Sequence, residues 1–178
     1  MRLFKFMAIM GALFIVNGCS RNALDYYKDT TPQADIKDYF NGHIKAWGIV
    51  QSWSGYVIRR FEIDMVGKWE GNIGKLVEHF DYYDGEKHER IWTIKKLANG
   101  SYEGTASDIV DKAIGRTEGS AIYWNYIMNL PVKGKTYKIK FDDWMWTMKD
   151  QVLINRSYLK KFGITVAEVT VFMQKQKL

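Results

Sequence analysis

The chain has 178 residues, a formal net charge of +6, a single cysteine and 15% aromatic residues. This length suits one domain with a substantial core. The basic excess is mild and is not gathered into the dense Lys and Arg stripe of nucleic-acid-binding proteins, so we expect no nucleic-acid partner. One cysteine excludes an intrachain disulfide, and the fold must be held by packing.

The first predicted element is an N-terminal targeting segment. Arg2 and Lys5 accompany an uninterrupted apolar run over residues 6–16, which is too short to cross a bilayer but typical of a signal peptide. The next residues read Val-Asn-Gly-Cys and resemble the lipobox of bacterial lipoproteins, in which the cysteine is acylated and becomes the mature N-terminus. We therefore predict a signal peptide over residues 1–18 and lipidation of Cys19.

The residues after the cysteine indicate how the protein would be anchored. Ser20, rather than Asp, follows the cysteine, which in lipoproteins of this type favours the outer membrane, with the domain facing the periplasm. Residues 19–35 are polar and aperiodic, so we predict a lipidated N-terminus and tether there. The alternative is that Tyr26 and Tyr27 dock onto the folded domain.

From residue 36 onward apolar and polar residues alternate with a period of two, which is typical of half-buried β-strands. A short helix is predicted from Arg156 to Phe162, ended by Gly163. The predicted strands cover residues 43–50, 57–65, 75–83, 88–94, 101–107, 120–130, 137–142, 151–155 and 166–172.

These elements predict an all-β, antiparallel, lipocalin-like (calycin-type) barrel of about 8–10 strands in a single domain over residues 36–178. One short helix would lie near the C-terminus. Closure is favoured because a closed sheet leaves no edge exposed. A two-sheet sandwich is the alternative, since the same alternation would produce it.

Two resemblances to known families support a barrel. Residues 39–42 followed by Trp47 are similar to the start of a lipocalin, which implies that Trp47 plugs one end of the barrel. A second resemblance, to a family of small Gram-negative lipoproteins catalogued as a domain of unknown function, covers more of the chain. It implies an exported lipoprotein with a lipocalin-like fold and no assigned activity. Its motifs, in order, are residues 39–42, 47–48, 59–61, 84–92, 102–106 and 141–144.

Three charged residues are predicted to point into the barrel. Arg59 alternates in phase with Phe61, Arg90 with Trp92, and Asp143 with the apolar residues before it. An unpaired charge in an apolar interior costs several kcal/mol, so we expect Asp143 to pair with Arg59 or Arg90. The cluster would form the polar floor of a pocket for a carboxylate or phosphate head group, with Phe61 and Trp92 as its apolar wall. The alternative is a buried ion pair that only fixes strand register.

No catalytic or metal chemistry is predicted. Asp142 and Asp143 are adjacent on a strand and face opposite sides, while His43, His79 and His88 lack metal-ligand spacing and are expected at the surface. The chain contains no Gly-x-Ser-x-Gly nucleophile elbow. We therefore expect a protein that is not an enzyme and needs no cofactor.

Two functions remain from the sequence. The first is a barrel that binds a lipid or other apolar ligand and is held at the membrane through lipid on Cys19. The second is an envelope structural or interaction protein with a filled barrel, whose outer face, including Trp144 and Trp146, docks a membrane partner. An open cavity would favour the first function and a filled interior the second. The sequence identifies neither the ligand nor a protein partner.

Overall fold

The computed structural model describes residues 23–177, which form a closed barrel of ten antiparallel strands. The predicted signal peptide (1–18), Cys19 and Ser20 lie outside the described residues. The strands are β1 (Gly42–Ser52), β2 (Val57–Glu70), β3 (Ile73–Tyr82), β4 (Lys87–Lys96), β5 (Tyr102–Thr105), β6 (Ile109–Glu118), β7 (Ala121–Val132), β8 (Lys135–Thr147), β9 (Val152–Lys161) and β10 (Ile164–Lys175).

The barrel closes because its first strand pairs with its last. β1 and β10 run antiparallel from Ile44 opposite Lys175 to Ser52 opposite Ala167, and every other strand pairs with its neighbours in sequence. This confirms the predicted all-β antiparallel barrel and excludes the two-sheet sandwich. Ten strands enclose more space than the eight that side chains just fill in small barrels.

Period-two alternation decides which residues enter the barrel. Phe61, Ile63 and Met65 of β2 are buried, while the residues between them lie on the outer wall. Because the side chains of a strand point alternately to its two faces, each strand supplies every second residue to the interior. The described residues contain no helix long and apolar enough to cross a membrane.

One end of the barrel is closed by a short helix, α1 (Ile36–Tyr39), which we call the plug together with Phe40. Ile36 and Phe40 are buried against the interior. The indole N–H of Trp69 donates to the Phe40 carbonyl oxygen at 3.2 Å. The same carbonyl lies so close to Gly67 that a Cβ there would overlap it, so the seat of the plug requires glycine at this position.

The described part of the predicted tether packs on the outside of this closed end. A 3₁₀ helix covers Ala23–Tyr27, and the side chain of Leu24 is buried. The Tyr27 ring contacts Trp144 and Trp146, with centroid distances of 6.0 and 6.3 Å. Tyr26 remains exposed, so only the second tyrosine docks onto the domain.

Hydrogen bonds hold the rest of this segment to the closed end. The Ser120 N–H donates to Thr30 Oγ1 at 2.9 Å, and the Ala34 N–H donates to the Gly119 carbonyl at 2.7 Å. Thr147 Oγ1 donates to the Pro32 carbonyl at 2.6 Å. Residues 23–35 therefore belong to the folded unit, as in the docking alternative, and are not a free tether.

The helix predicted from Arg156 to Phe162 is wrong, because these residues continue β9 and enter the turn to β10. Asn155, Ser157 and Leu159 are buried at every second position. Two of those three inward residues are polar, which hid the strand pattern from a search for apolar alternation. Within residues 23–177 the one α-helix is α1 of the plug, near the N-terminus.

Strand β6 was absent from the predicted strands. Asp111 in its middle has a φ of 58°, and the pairing with β7 shifts register between Val110 and Ile114. Such a bulge breaks the period-two pattern on which the prediction depended.

Candidate functional site: a cavity inside the barrel

The barrel encloses a cavity of about 460 Å³ that runs from the plug toward the opposite end. Ile36 and Phe40 form its floor. At the other end it is lined by Ile58 and Val132, which are exposed to solvent. The cavity therefore has an entrance, which we call the mouth, at the end with the β1–β2, β3–β4 and β7–β8 turns.

Most of the cavity wall is apolar and aromatic. Trp92 and Tyr126 meet edge to face at 5.8 Å, and Tyr126 stacks on Phe141 at 5.0 Å. Further apolar side chains come from most of the strands, so an alkyl or ring group would be surrounded on all sides. They include Phe61, Ile63, Met65, Leu76, Phe80, Ile94, Trp124, Met128, Met145, Leu159, Val169, Val171 and Met173.

A buried arginine stands on one side of this wall. Arg90 of β4 donates from Nε and Nη2 to Asp108 Oδ2 at 2.9 and 2.8 Å, and its Nη1 lies 3.5 Å from Glu78 Oε2. Its guanidinium also lies over the Phe80 ring at 5.3 Å. Burial opposes the charge of Arg90, but the carboxylates of Glu78 and Asp108 outweigh that penalty and raise its pKa.

Glu78 of β3 and Asp108 each have one buried carboxylate oxygen that accepts no hydrogen bond from the described residues. The Glu78 side chain lines the cavity, and its Oε2 is the oxygen without a partner. Burial raises the pKa of Glu78, and the nearby Arg90 lowers it only in part. A buried oxygen without a donor is costly, so this atom is a natural contact for a ligand.

Asp143 of β8 forms a separate polar group with β7 and β9. Tyr126 Oη donates to Asp143 Oδ2 at 3.1 Å, Ser157 Oγ donates to Oδ1 at 2.7 Å, and the Asn155 side-chain amide also donates to Oδ1. Burial raises the pKa of Asp143, although these three donors and Arg90 lower it in part.

The expected ion pair between Asp143 and an arginine is therefore wrong. Asp143 takes neutral donors from its neighbouring strands, while Arg90 takes Asp108 from the β5–β6 turn and Glu78 from β3. Strand parity correctly placed the charged side chains inside. The alternation pattern does not predict which of these charged residues lie on adjacent strands.

Arg59 lies at the mouth, not beside Asp143. Its guanidinium donates to Asp84 at 2.8 Å and to Glu86 in the β3–β4 turn, and it stacks 3.5 Å from the centre of the Tyr82 ring. The side-chain hydrogen bond to Asp84 is the largest influence on Arg59 and raises its pKa. Arg59 thus ties this turn to the entrance.

All five residues predicted for the pocket line one cavity, namely Arg59, Phe61, Arg90, Trp92 and Asp143. The polar residues that sequence reasoning missed are Glu78, Asp108, Tyr126, Asn155 and Ser157. Glu78 had a usable signal, because it alternates in phase with the apolar residues on either side of it. Asp108 lies in a turn, where the alternation of residue types does not indicate which way a side chain points.

The other predicted contacts lie on the outer wall. Trp47 is 40% exposed and packs beside Phe172 at 6.0 Å, because Ile44, Ala46 and Gly48 take the inward positions of β1. The prediction that Trp47 plugs one end of the barrel is therefore wrong, because the helix α1 closes that end. Trp144 and Trp146 stack on each other at 6.3 Å and are half-buried beneath Tyr27.

Among residues 23–177, no group of three or more His, Cys, Asp or Glu could hold a metal ion. His43, His79 and His88 are exposed, as the sequence predicted.

Comparison with known proteins gives a family but no characterised relative. The model of the family described as "Protein of unknown function (DUF3833)" matches residues 13–175. No curated protein matches the chain, and no solved structure does so.

Proposed function

The chain belongs to the DUF3833 family, whose function is unknown, and we propose that it binds a lipid or other apolar ligand inside its barrel. The observation that carries this proposal is the cavity of about 460 Å³. Small-molecule sites typically occupy about 300–1,000 Å³ and combine an apolar wall with a few polar groups. This cavity has that size and that composition.

The barrel has one route for a ligand to enter. The plug and residues 23–35 cover one end, whereas the mouth at the other end is lined by exposed residues. A ligand would insert its apolar part from the mouth, in the manner of lipocalin-like binders. Binding is favoured over catalysis because the polar side chains in the cavity mainly engage one another.

We further propose that the protein is held at the outer membrane by lipid on Cys19 and faces the periplasm. The lipobox-like residues and Ser20 support this location. Leu24 is already buried on the barrel, and the five Cα–Cα steps from Cys19 to Leu24 span at most about 18 Å. A lipidated N-terminus would therefore keep the barrel close to the membrane surface.

Native mass spectrometry of the full chain extracted from its membrane tests both proposals. We expect a mature chain that begins at an acylated Cys19 and carries a non-covalent apolar molecule. A bare chain would contradict ligand binding, and a stoichiometric protein partner would favour the interaction function instead. A mature chain that retains residues 1–18 would contradict lipidation.

A further inference from the structure

We propose that the ligand carries a cationic, hydrogen-bond-donating head group such as an amine, placed between Glu78 and Asp143. This inference rests on the proposed binding function and specifies its ligand class. It replaces the carboxylate or phosphate head group that the sequence suggested. It is carried by the excess of carboxyl groups over cations inside the barrel and by Glu78 Oε2, a buried oxygen that accepts no hydrogen bond and lies 3.5 Å from Arg90 Nη1.

The interior has more carboxyl groups than cations. Arg90 is the one cation deep in the described barrel, and it faces Glu78 and Asp108, with Asp143 across the cavity. Arg59 does not change this balance, because two turn carboxylates outside the cavity already hold it. A carboxylate or phosphate from a ligand would place a further acidic group beside Glu78, Asp108 and Asp143.

Arg90 has little capacity left for an anionic ligand. Asp108 occupies both Nε and Nη2, and Glu78 lies 3.5 Å from Nη1. An incoming carboxylate or phosphate would have to displace these partners and leave their charges buried. Breaking a buried ion pair in this way is strongly unfavourable, because it leaves a buried charge without its partner.

Glu78 gives the site its preference for a donor. Its side chain is only 9% exposed and lines the cavity, and Oε2 lacks a donor. An ammonium group has three N–H donors and one positive charge, so it would donate to this oxygen and favour the ionised forms of Glu78 and Asp143, which burial disfavours. The aromatic wall beside it, including Trp92 and Tyr126, also favours a cation.

A matched ligand series tests the inference. The full chain with Cys19→Ser, which changes no residue of the described barrel, is titrated with decylamine, decanol and decanoate, which share one alkyl length. We expect decylamine to bind at least tenfold more tightly than decanoate, with decanol between them. Equal binding or tighter binding of decanoate would overturn the inference and leave apolar binding intact. No binding by any of the three would overturn both proposals.

Glu78→Gln in the same chain assigns the effect to its residue. We expect this variant to lose most of the preference for decylamine over decanol, while Glu89→Gln on the outer wall retains it. If Glu78→Gln does not fold, Asp143→Asn provides the same comparison. An unchanged preference in the folded variant would overturn the role of the interior carboxyl groups.

A different observation carries a second inference, that the β7–β9 side of the barrel lies on an anionic lipid surface. A groove on the outer wall of these strands, which we call the basic groove, opens beside the mouth. Its floor is apolar and its sides carry four lysines, of which Lys140 and Lys160 pair with Asp142. It is lined by Ile127, Lys138, Lys140, Lys160, Lys161, Phe162 and Gly163.

Exposed apolar side chains continue this surface at the mouth. Phe162 is 92% exposed and Ile164 69%, both at the β9–β10 turn, and Trp53 in the neighbouring β1–β2 turn is 82% exposed. Lys133 and Lys135 flank the β7–β8 turn, and residues 131–141 contain no acidic residue. Lysine beside exposed aromatic groups is the combination that suits the boundary of an anionic bilayer.

The anchored segment reaches the same wall. Tyr27 packs on Trp144 and Trp146 of β8, and the basic groove lies farther along β8 toward the mouth. A barrel lying on this side would bring the anchor and the groove to one membrane. The opposite side of the mouth carries Asp84 and Glu86 and would face away.

Vesicle sedimentation tests this orientation with the Cys19→Ser chain. We expect binding to vesicles that contain 30% phosphatidylglycerol and at least tenfold weaker binding to phosphatidylcholine alone. Lys138→Glu with Lys161→Glu should abolish the difference, whereas Lys87→Glu with Lys112→Glu on the other side should preserve it. Equal binding to both vesicles, or equal loss in both double variants, would overturn the inference.

Discussion

The two ends of the barrel use the same ten strands but differ in how their apolar residues are covered. At the closed end Ile36 and Phe40 fill the interior, and residues 23–35 pack around the turns. At the mouth Trp53 and Phe162 are exposed. The difference comes from residues 23–40, which lie outside the sheet and pack at the closed end. The two ends of the barrel are therefore not equivalent: one is the floor of the cavity and the other is its entrance.

We expect the largest loss of stability from a substitution that displaces the plug. Gly67→Ala would push a Cβ into the Phe40 carbonyl, and backbone cannot move aside as a flexible side chain does. We expect a loss of about 3 kcal/mol in the free energy of unfolding, at the upper end for overpacked sites. Urea denaturation measures it. A loss below about 1 kcal/mol would show that the plug does not depend on this close approach.

The docking of residues 23–35 is tested by two turn glycines at opposite ends. Gly119 and Gly134 have φ values of 53° and 77°, so alanine costs about 1–2 kcal/mol of backbone strain at either site. Only at Gly119 would a Cβ also overlap the Tyr27 carbonyl. We expect Gly119→Ala to lose about 1–2 kcal/mol more than Gly134→Ala in urea denaturation.

Limited proteolysis gives the matching structural readout. Residues 23–35 should become more sensitive to cleavage in Gly119→Ala and remain protected in Gly134→Ala. Equal stability and equal protection in the two variants would contradict the docked N-terminal segment.

The buried carboxyl groups between the two ends should make the stability of the protein depend on pH. Burial raises the pKa of Glu78 above its ordinary value of 4.5, so the folded protein keeps a proton there that the unfolded chain releases. The free energy of unfolding should therefore fall as pH rises from about 4.5 through the raised pKa, by about 1.4 kcal/mol for each pKa unit of elevation.

Urea denaturation at pH 5 and pH 8 checks this sign. We expect Glu78→Gln to reduce the fall in stability, because glutamine has no proton to release; Asp143, whose pKa burial also raises, retains its own part of the fall. Glu89→Gln, on the exposed face of β4, should keep the slope of the original chain. An unchanged slope in Glu78→Gln would mean that Glu78 titrates in the folded state as it does in the unfolded chain.

The exposed residues of the mouth should matter least for stability. Phe162→Ser and Trp53→Ser remove side chains that are already in solvent, so the free energy of unfolding should change by less than about 0.5 kcal/mol. Ile36→Ser at the closed end should cost several kcal/mol, because it buries a hydroxyl and leaves a cavity. Similar losses at both ends would remove the contrast between floor and mouth.

Alternation of residue types predicted much of this architecture. It placed Phe61, Trp92 and Asp143 inside a barrel because side-chain direction on a strand is a local property. Ser157 shows the limit, since a polar residue on an inward position breaks the apolar pattern and favoured a helix. The sequence does not predict which charged residues pair with each other. Arg90 meets Asp108 only because β4 pairs with β5 and the turn after β5 brings Asp108 beside it. The packing of Tyr27 on Trp144 is equally non-local.

Equilibrium titration of three chains with a fluorescent alkyl ligand tests ligand binding in the barrel most directly. Val169 of β10 lines the cavity, whereas Val166 of the same strand lies on the exposed outer wall. We expect the original chain and Val166→Trp to bind alike and Val169→Trp, whose indole fills cavity space, to bind at least tenfold more weakly. Equal affinity in all three chains would contradict binding inside the barrel.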